Sequence, residues 1–91
     1  MATDDMPPLP LAQGHWDHIA GTLKLSPQQK RIVELILRNR CDKQIASVMQ
    51  IKKSTIRTYI TRIFHRLGVA DRLELILLLF AMSNGVGPRR R

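Results

Sequence analysis

The chain has 91 residues, a formal net charge of +8 and a single cysteine, Cys41. That length allows one modest core and excludes a sensor domain joined to an effector domain, while one cysteine excludes an internal disulfide and a cysteine-rich zinc site. The charge is uneven, a formal −3 on residues 1 to 23 and +11 on the other 68, which points to a polyanion or an acidic surface as partner.

The N-terminus, MATDDMPPLP, is acidic and has no basic segment followed by an apolar run, so it does not read as a signal peptide. Pro7, Pro8 and Pro10 forbid a helix there, and residues 1 to 14 read as an unanchored lead-in. Pro7 and Pro10 have PxxP spacing, which at this frequency is a stiff linker more often than a ligand for an aromatic groove. His15 to Leu23, HWDHIAGTL, predicts a short helix with Trp16, Ile19, Ala20 and Leu23 on one side, lying against the main domain because a tryptophan is costly to leave in water. His15 and His18 have helical metal-ligand spacing but no third ligand nearby, so no metal is expected.

From Leu25 the signals become regular. Ser26-Pro27 is a helix start, with Ile32, Val33, Leu35, Ile36 and Leu37 supplying the buried side and Asn39 suited to a left-handed stop. A short helix from about Asp42 to Met49 follows, capped by Cys41 or Asp42, and Gln50, Ile51 and Lys52 form a tight turn. The next helix starts at about Lys53 and is stopped by Gly68. Its residues Ile56, Ile60, Ile63, Phe64 and Leu67 fall on one face; Lys52, Lys53, Arg57, Arg62 and Arg66 lie on the polar side without one acid. Cations that neutralise phosphates, with short hydroxyl side chains between them, suit a helix in a DNA groove. Short helix, tight turn and basic helix is the helix-turn-helix arrangement. Asp71 then opens a last helix, with capping-box spacing to Glu74, running to about Ser83. Its apolar run, Leu75 to Met82, is eight residues long and too short to span a bilayer. It is apolar nearly all round, which leaves either a homodimer contact, assigned to Leu75, Leu78, Leu79 and Met82, or a face covered within the monomer by the Trp16 segment. Arg89, Arg90 and Arg91 form a basic tail.

The expected organisation is a lead-in with a short helix over 1–24, a helix-turn-helix domain over 25–83 and a basic tail over 84–91. Leu25 to about Leu78, 54 of the 91 residues, resembles the LuxR-type (GerE-like) helix-turn-helix domain of bacterial regulators without a gap. LSPQQKRIVELI matches the family's Leu-Ser-Pro helix, DKQIASVMQIKKSTIRTYITRIFHRLGV its Asn-Lys-Glu-Ile-Ala to Leu-Gly-Val core, and DRLELI its final helix. The resemblance implies an all-α fold, four helices preceded here by a short extra N-terminal one. It also implies that Arg57, Thr58 and Thr61 face base edges and that Lys43, Thr55 and Arg62 contact phosphates. Lys53 and Ser54, at the start of the same helix, are assigned with the phosphate contacts. Departures from the family pattern are Gln44 for Glu, Asn39 for Gly, Lys52 for Ser, Tyr59 for His, Arg57 for Lys, and Gln29 and Arg31 for acids. Most add positive charge or remove negative charge.

Two functions follow. The first is a sequence-specific transcription regulator that binds double-stranded DNA as a homodimer in the cytoplasm, a complete small protein without the receiver domain common among its relatives. The second is a helix-turn-helix that holds a protein partner, such as RNA polymerase, with little DNA reading of its own. The fourth region of sigma factors, which has a similar helix-turn-helix, fits less well because the Leu-Ser-Pro opening and Leu-Gly-Val close come here with a further helix. An enzyme is not expected, since His15, His18, His65 and Cys41 form no nucleophile-base pair or ligand set. Cys41 at a helix start has the position of a redox-sensitive thiol but no resolving partner, and no cofactor is implied.

Overall fold

A computed structural model describes residues 6–84. Five helices make up its regular structure: α1 (Gln13–Thr22), α2 (Pro27–Leu37), α3 (Asp42–Met49), α4 (Lys53–Leu67) and α5 (Arg72–Ser83), with no strand among the described residues. The all-α architecture with an extra N-terminal helix is the one expected. Arg89, Arg90 and Arg91 lie outside the described residues.

Capping residues decide where each helix begins. Ser26 Oγ accepts from the Gln29 amide at 3.1 Å while Gln29 Oε1 accepts from the Ser26 amide at 2.9 Å, so two amides left over at the start of α2 are satisfied reciprocally. Cys41 is the N-cap of α3, and Gln44 Oε1 accepts from its amide at 2.9 Å, so Gln44 supplies the capping-box oxygen that a Glu supplies elsewhere. Asp71 Oδ1 accepts from the Glu74 amide at 2.9 Å, but Glu74 reaches back to the amide of Ala70, at 2.8 Å, rather than to Asp71. The box expected at α5 is therefore displaced by one residue on its return arm.

The first four helices end in one way. Lys24, Asn39, Gln50 and Gly68 each adopt the left-handed conformation, at φ 56°, 63°, 58° and 72°. The next amide in each case then bonds back to the carbonyl five residues earlier: Leu25 to Ala20, Arg40 to Leu35, Ile51 to Ala46 and Val69 to Phe64, all at 3.0 Å. This is the Schellman closure, and it satisfies carbonyls that the helix itself leaves open. Asn39 and Gly68 are residue types that accept positive φ readily; Lys24 and Gln50 are not, and are held there by the closure.

Helix α3 packs on α4, α2 packs on both, and α1 packs on α5. Trp16, Ile32, Val33, Leu35, Ile45, Ile56, Leu75 and Leu79 are wholly shielded from solvent in one apolar cluster. Leu11, Ile19 and Ala20 are buried in the same cluster, and Met6 and Leu9 pack against it. The segment before α1 is therefore anchored from Met6 onward, contrary to the expectation of an unanchored lead-in. Its prolines forbid a helix, yet an extended strap still lays apolar side chains on a core, and the Pro7 carbonyl accepts from Arg38 Nη1 at 3.3 Å. Trp16 Nε1 donates to Glu34 at 3.1 Å, and Arg31 and Arg38 pair with the same carboxylate.

Two residues assigned to a dimer contact, Leu75 and Leu79, are at the centre of this core and have no exposed surface. Steps of about 100° per residue place Leu77 opposite them on α5. Leu77 is 58% exposed and Leu73 63%, whereas Leu78 and Met82 are half-buried. An unbroken apolar sequence does not reveal which side faces the core; contact with α1 settles it.

Candidate nucleic-acid interface

The α3–α4 pair is joined by the turn Gln50 to Lys52, and burial of Ile45, Ala46, Ile56, Ile60 and Ile63 fixes the two helices against each other and against α2. Everything opposite that seam on α4 is polar. Lys53, Ser54, Arg57, Thr58, Thr61 and Arg62 are exposed, Thr55 is half-buried, and Lys43 is exposed at the start of α3. All eight residues assigned to DNA contacts thus lie on or beside one outward surface. An open depression lined by Asn39, Arg40, Cys41, Asp42, Lys43, Lys53, Arg57 and Arg72 sits where α3, α4 and α5 begin. A narrower cleft between α2 and α4 is lined by Gln28, Gln29, Tyr59 and Arg62, so Tyr59 is half-buried at the edge of the surface.

The arginines differ in what they are free to do. Arg57 keeps 65% of its side chain exposed, and its Nε donates to Asp42 Oδ2 at 3.3 Å. Arg66 is spent within the fold: its terminal nitrogens donate to Gln29 Oε1 and to the carbonyls of Leu23 and Lys24 at 2.9 to 3.0 Å. It ties the end of α4 to the α1–α2 corner and drops out of the set of cations offered outward. Arg72 donates to the Arg40 carbonyl at 2.6 Å and to Asp42 Oδ1 at 3.2 Å. Sequence reasoning missed both Arg72 and Asp42 at this surface, because their partners lie thirty and fifteen residues away. Thr58 Oγ1 donates to the Ser54 carbonyl at 3.2 Å, which leaves the hydroxyl oxygen's lone pairs and the methyl to meet a ligand.

The Cys41 thiol is held below its ordinary range chiefly by its hydrogen bond from the Gln44 amide, which outweighs the opposing effect of burial; the Lys43 amide adds to the lowering and the neighbouring Asp42 charge opposes it. Cys41 is exposed and unpaired. His15 and His18 line a cavity with Ile19, Met82 and Ser83, and no group of three or more His, Cys, Asp or Glu side chains suited to a metal occurs among the described residues. No described helix is long and apolar enough to cross a membrane.

Lys52 is the N-cap of α4 and gives the helix no side-chain cap. The amides of its first turn therefore have no capping oxygen from the N-cap side chain, and both Lys52 and Lys53 are exposed at that end, an arrangement that suits an anion. Replacing Lys52 by Ser should add about 1 kcal/mol of stability through a new cap. The same change removes a cation and covers one amide, so DNA affinity should fall, with the log–log salt slope shallower by about 1. Thermal melting and a salt series on one duplex would measure the two effects.

Five packed helices that present a short helix, a left-handed turn and a cationic second helix define a helix-turn-helix module. The family model described as "Bacterial regulatory proteins, luxR family" matches residues 23–79, and the chain belongs to that family. It is similar to the transcriptional regulatory protein DesR of Bacillus subtilis, 36% identical over 52 residues that make up 57% of this chain and 26% of that protein. It is also similar to the probable HTH-type transcriptional regulator GfsR of Streptomyces halstedii, 30% identical over 72% of this chain and 27% of that protein. The spore germination protein GerE of Bacillus subtilis is 29% identical over 65% of this chain and 80% of its own length. The chain thus spans about a quarter of the length of the first two. No solved structure gives a significant match. Family and relatives support DNA-binding transcription regulation and point away from an enzyme.

Proposed function

We propose that the protein is a sequence-specific regulator of transcription that lays α4 in the major groove of double-stranded DNA and binds as a homodimer in the cytoplasm. The observation that carries this reading is the exposure of Arg57, Thr58 and Thr61 on one side of α4, ringed by Lys43, Lys53, Ser54, Thr55 and Arg62. Arg57 reads a guanine through its planar fork, Thr58 and Thr61 meet neighbouring base edges, and the surrounding residues hold phosphates. The test is selection of bound sequences from a random duplex pool, with the winners retested across a salt series. A recovered inverted repeat with a steep salt slope supports the reading; equal binding of selected and random duplex in moderate salt sinks it.

The dimer contact we propose differs from the one read from the sequence. With Leu75 and Leu79 buried, Leu73 and Leu77 supply its centre and half-buried Leu78 one edge, whereas Met82 faces α1 beside His15, His18 and Ile19 and drops out of the contact. Charged residues at positions 73 and 77 should leave the fold intact, since both side chains are more than half exposed and neither belongs to the buried core. Leu73→Glu together with Leu77→Glu should turn two-protomer complexes on an inverted repeat into single-protomer ones, seen as a change in stoichiometry by sedimentation or light scattering. Unchanged stoichiometry would remove α5 from the interface. The same exposed leucines favour a second reading, in which this face holds RNA polymerase or another regulator. Salt-insensitive protein binding without measurable DNA binding would decide for it.

A further inference from the structure

Arg57 is not alone on the outward face. Asp42, in the first turn of α3, holds it by one nitrogen: Nε donates to Oδ2 at 3.3 Å. The other carboxylate oxygen accepts from Arg72 Nη2 at 3.2 Å, and Arg72 is itself fixed by its 2.6 Å bond to the Arg40 carbonyl. Asp42 and Arg72 are both partly shielded, with 29% and 35% of their side chains exposed, while Arg57 beyond them is 65% exposed. A backbone oxygen thus positions Arg72, Arg72 positions a carboxylate, and the carboxylate positions Arg57, which is largely exposed on the outward surface where α3 meets α4.

The choice of atom matters. A guanidinium has five N–H donors in a fixed plane, and guanine O6 and N7 are matched by two of them side by side. With Nε occupied by Asp42, the edge formed by Nη1 and Nη2 is left whole and the guanidinium is tethered at its Nε end. An unheld arginine on a flexible stem reaches a phosphate as readily as a base, and a phosphate contact carries no sequence information. The carboxylate also places a negative charge at the DNA-facing surface, which weakens complexes in which Arg57 has left it for the backbone.

We propose that Asp42 is a positioning residue for base readout. It orients Arg57 toward guanine and holds back its use as a general phosphate contact, and Arg72 links this arrangement to the start of α5. The proposal rests on the reading that Arg57 contacts a base.

The test uses duplexes recovered by selection, each carrying one of the four base pairs at the position that Arg57→Ala relaxes, together with an unrelated duplex. Asp42→Asn should lower the preference for guanine there by roughly 3- to 30-fold and strengthen binding to the unrelated duplex. Both changes should vanish in the Arg57→Ala background, because Asp42 acts through that side chain. A merely structural Asp42 would lower the melting temperature and weaken all duplexes alike, with or without Arg57. Asp42→Glu, which keeps the charge and moves it by one methylene, guards against loss of folding in the Asn variant. It should lose guanine preference while binding to unrelated duplex stays low. An unchanged guanine preference in the folded variants, or equal losses in the two backgrounds, overturns the proposal while leaving base reading by Arg57 intact. If Arg57→Ala relaxes no base position, the reading beneath the proposal fails and the proposal fails with it.

Discussion

Arg57→Ala is expected to cost about 1 to 3 kcal/mol on the selected site and to relax one base position, with little change on unrelated duplex. The side chain is the most exposed partner in the Asp42–Arg57–Arg72 chain, so its removal leaves no cavity and folding should be unaffected. The informative contrast is Lys43→Ala, which should weaken every sequence alike and make the salt slope shallower by about 1, since a point charge near a phosphate reports no base. Fluorescence anisotropy on four duplexes that differ at one base pair, at two salt concentrations, separates the two patterns. Equal losses on all four for Arg57→Ala would assign it to the backbone.

Trp16→Ala should be the most damaging single substitution outside the DNA-facing surface. The side chain has no exposed surface and its indole N–H is bonded to Glu34. Removing a buried tryptophan costs about 3 to 5 kcal/mol, a large part of the roughly 5 to 15 kcal/mol that holds a small domain together. The melting temperature should fall on the order of 15 to 30 °C. Trp16→Phe keeps most of the volume and loses the hydrogen bond, and should cost about 1 to 3 kcal/mol. At low temperature the folded fraction of either variant should keep its sequence preference, because α1 lies against α5 and away from α4's outward side. A small effect of Trp16→Ala would show that α1 is an appendage rather than part of the core.

How much of this was legible in the chain depends on the range over which each interaction acts. Helix starts were readable at Ser26-Pro27 and Asp71, and stops at Asn39 and Gly68, because caps are decided by residues three or four apart. The left-handed conformations of Lys24 and Gln50 were not, since neither residue type announces positive φ. The outward side of α4 was readable from its period, and the structure places Arg57, Thr58, Thr61 and Arg62 there. Arg66 has the same spacing and yet faces the α1–α2 corner, because its partners come from Leu23, Lys24 and Gln29. On α5, eight apolar residues in succession carry no period, and the assignment of Leu75 and Leu79 to an outer face failed for that reason. The strap from Met6 to Leu11 failed likewise: prolines say that a segment is not helical, not whether it packs.

The repeated closures at Lys24, Asn39, Gln50 and Gly68 bear on how fast the chain finds this arrangement. The stop of each of α1 to α4 is made by a bond spanning five residues, so none of these closures needs a partner distant along the chain. The helices are joined by short turns, so docking them requires few costly loop closures. Chains of this kind, dominated by local contacts, fold on the order of microseconds to milliseconds. The slowest steps would then be those that bring Trp16 and α1 onto α5, the pairing most distant along the chain.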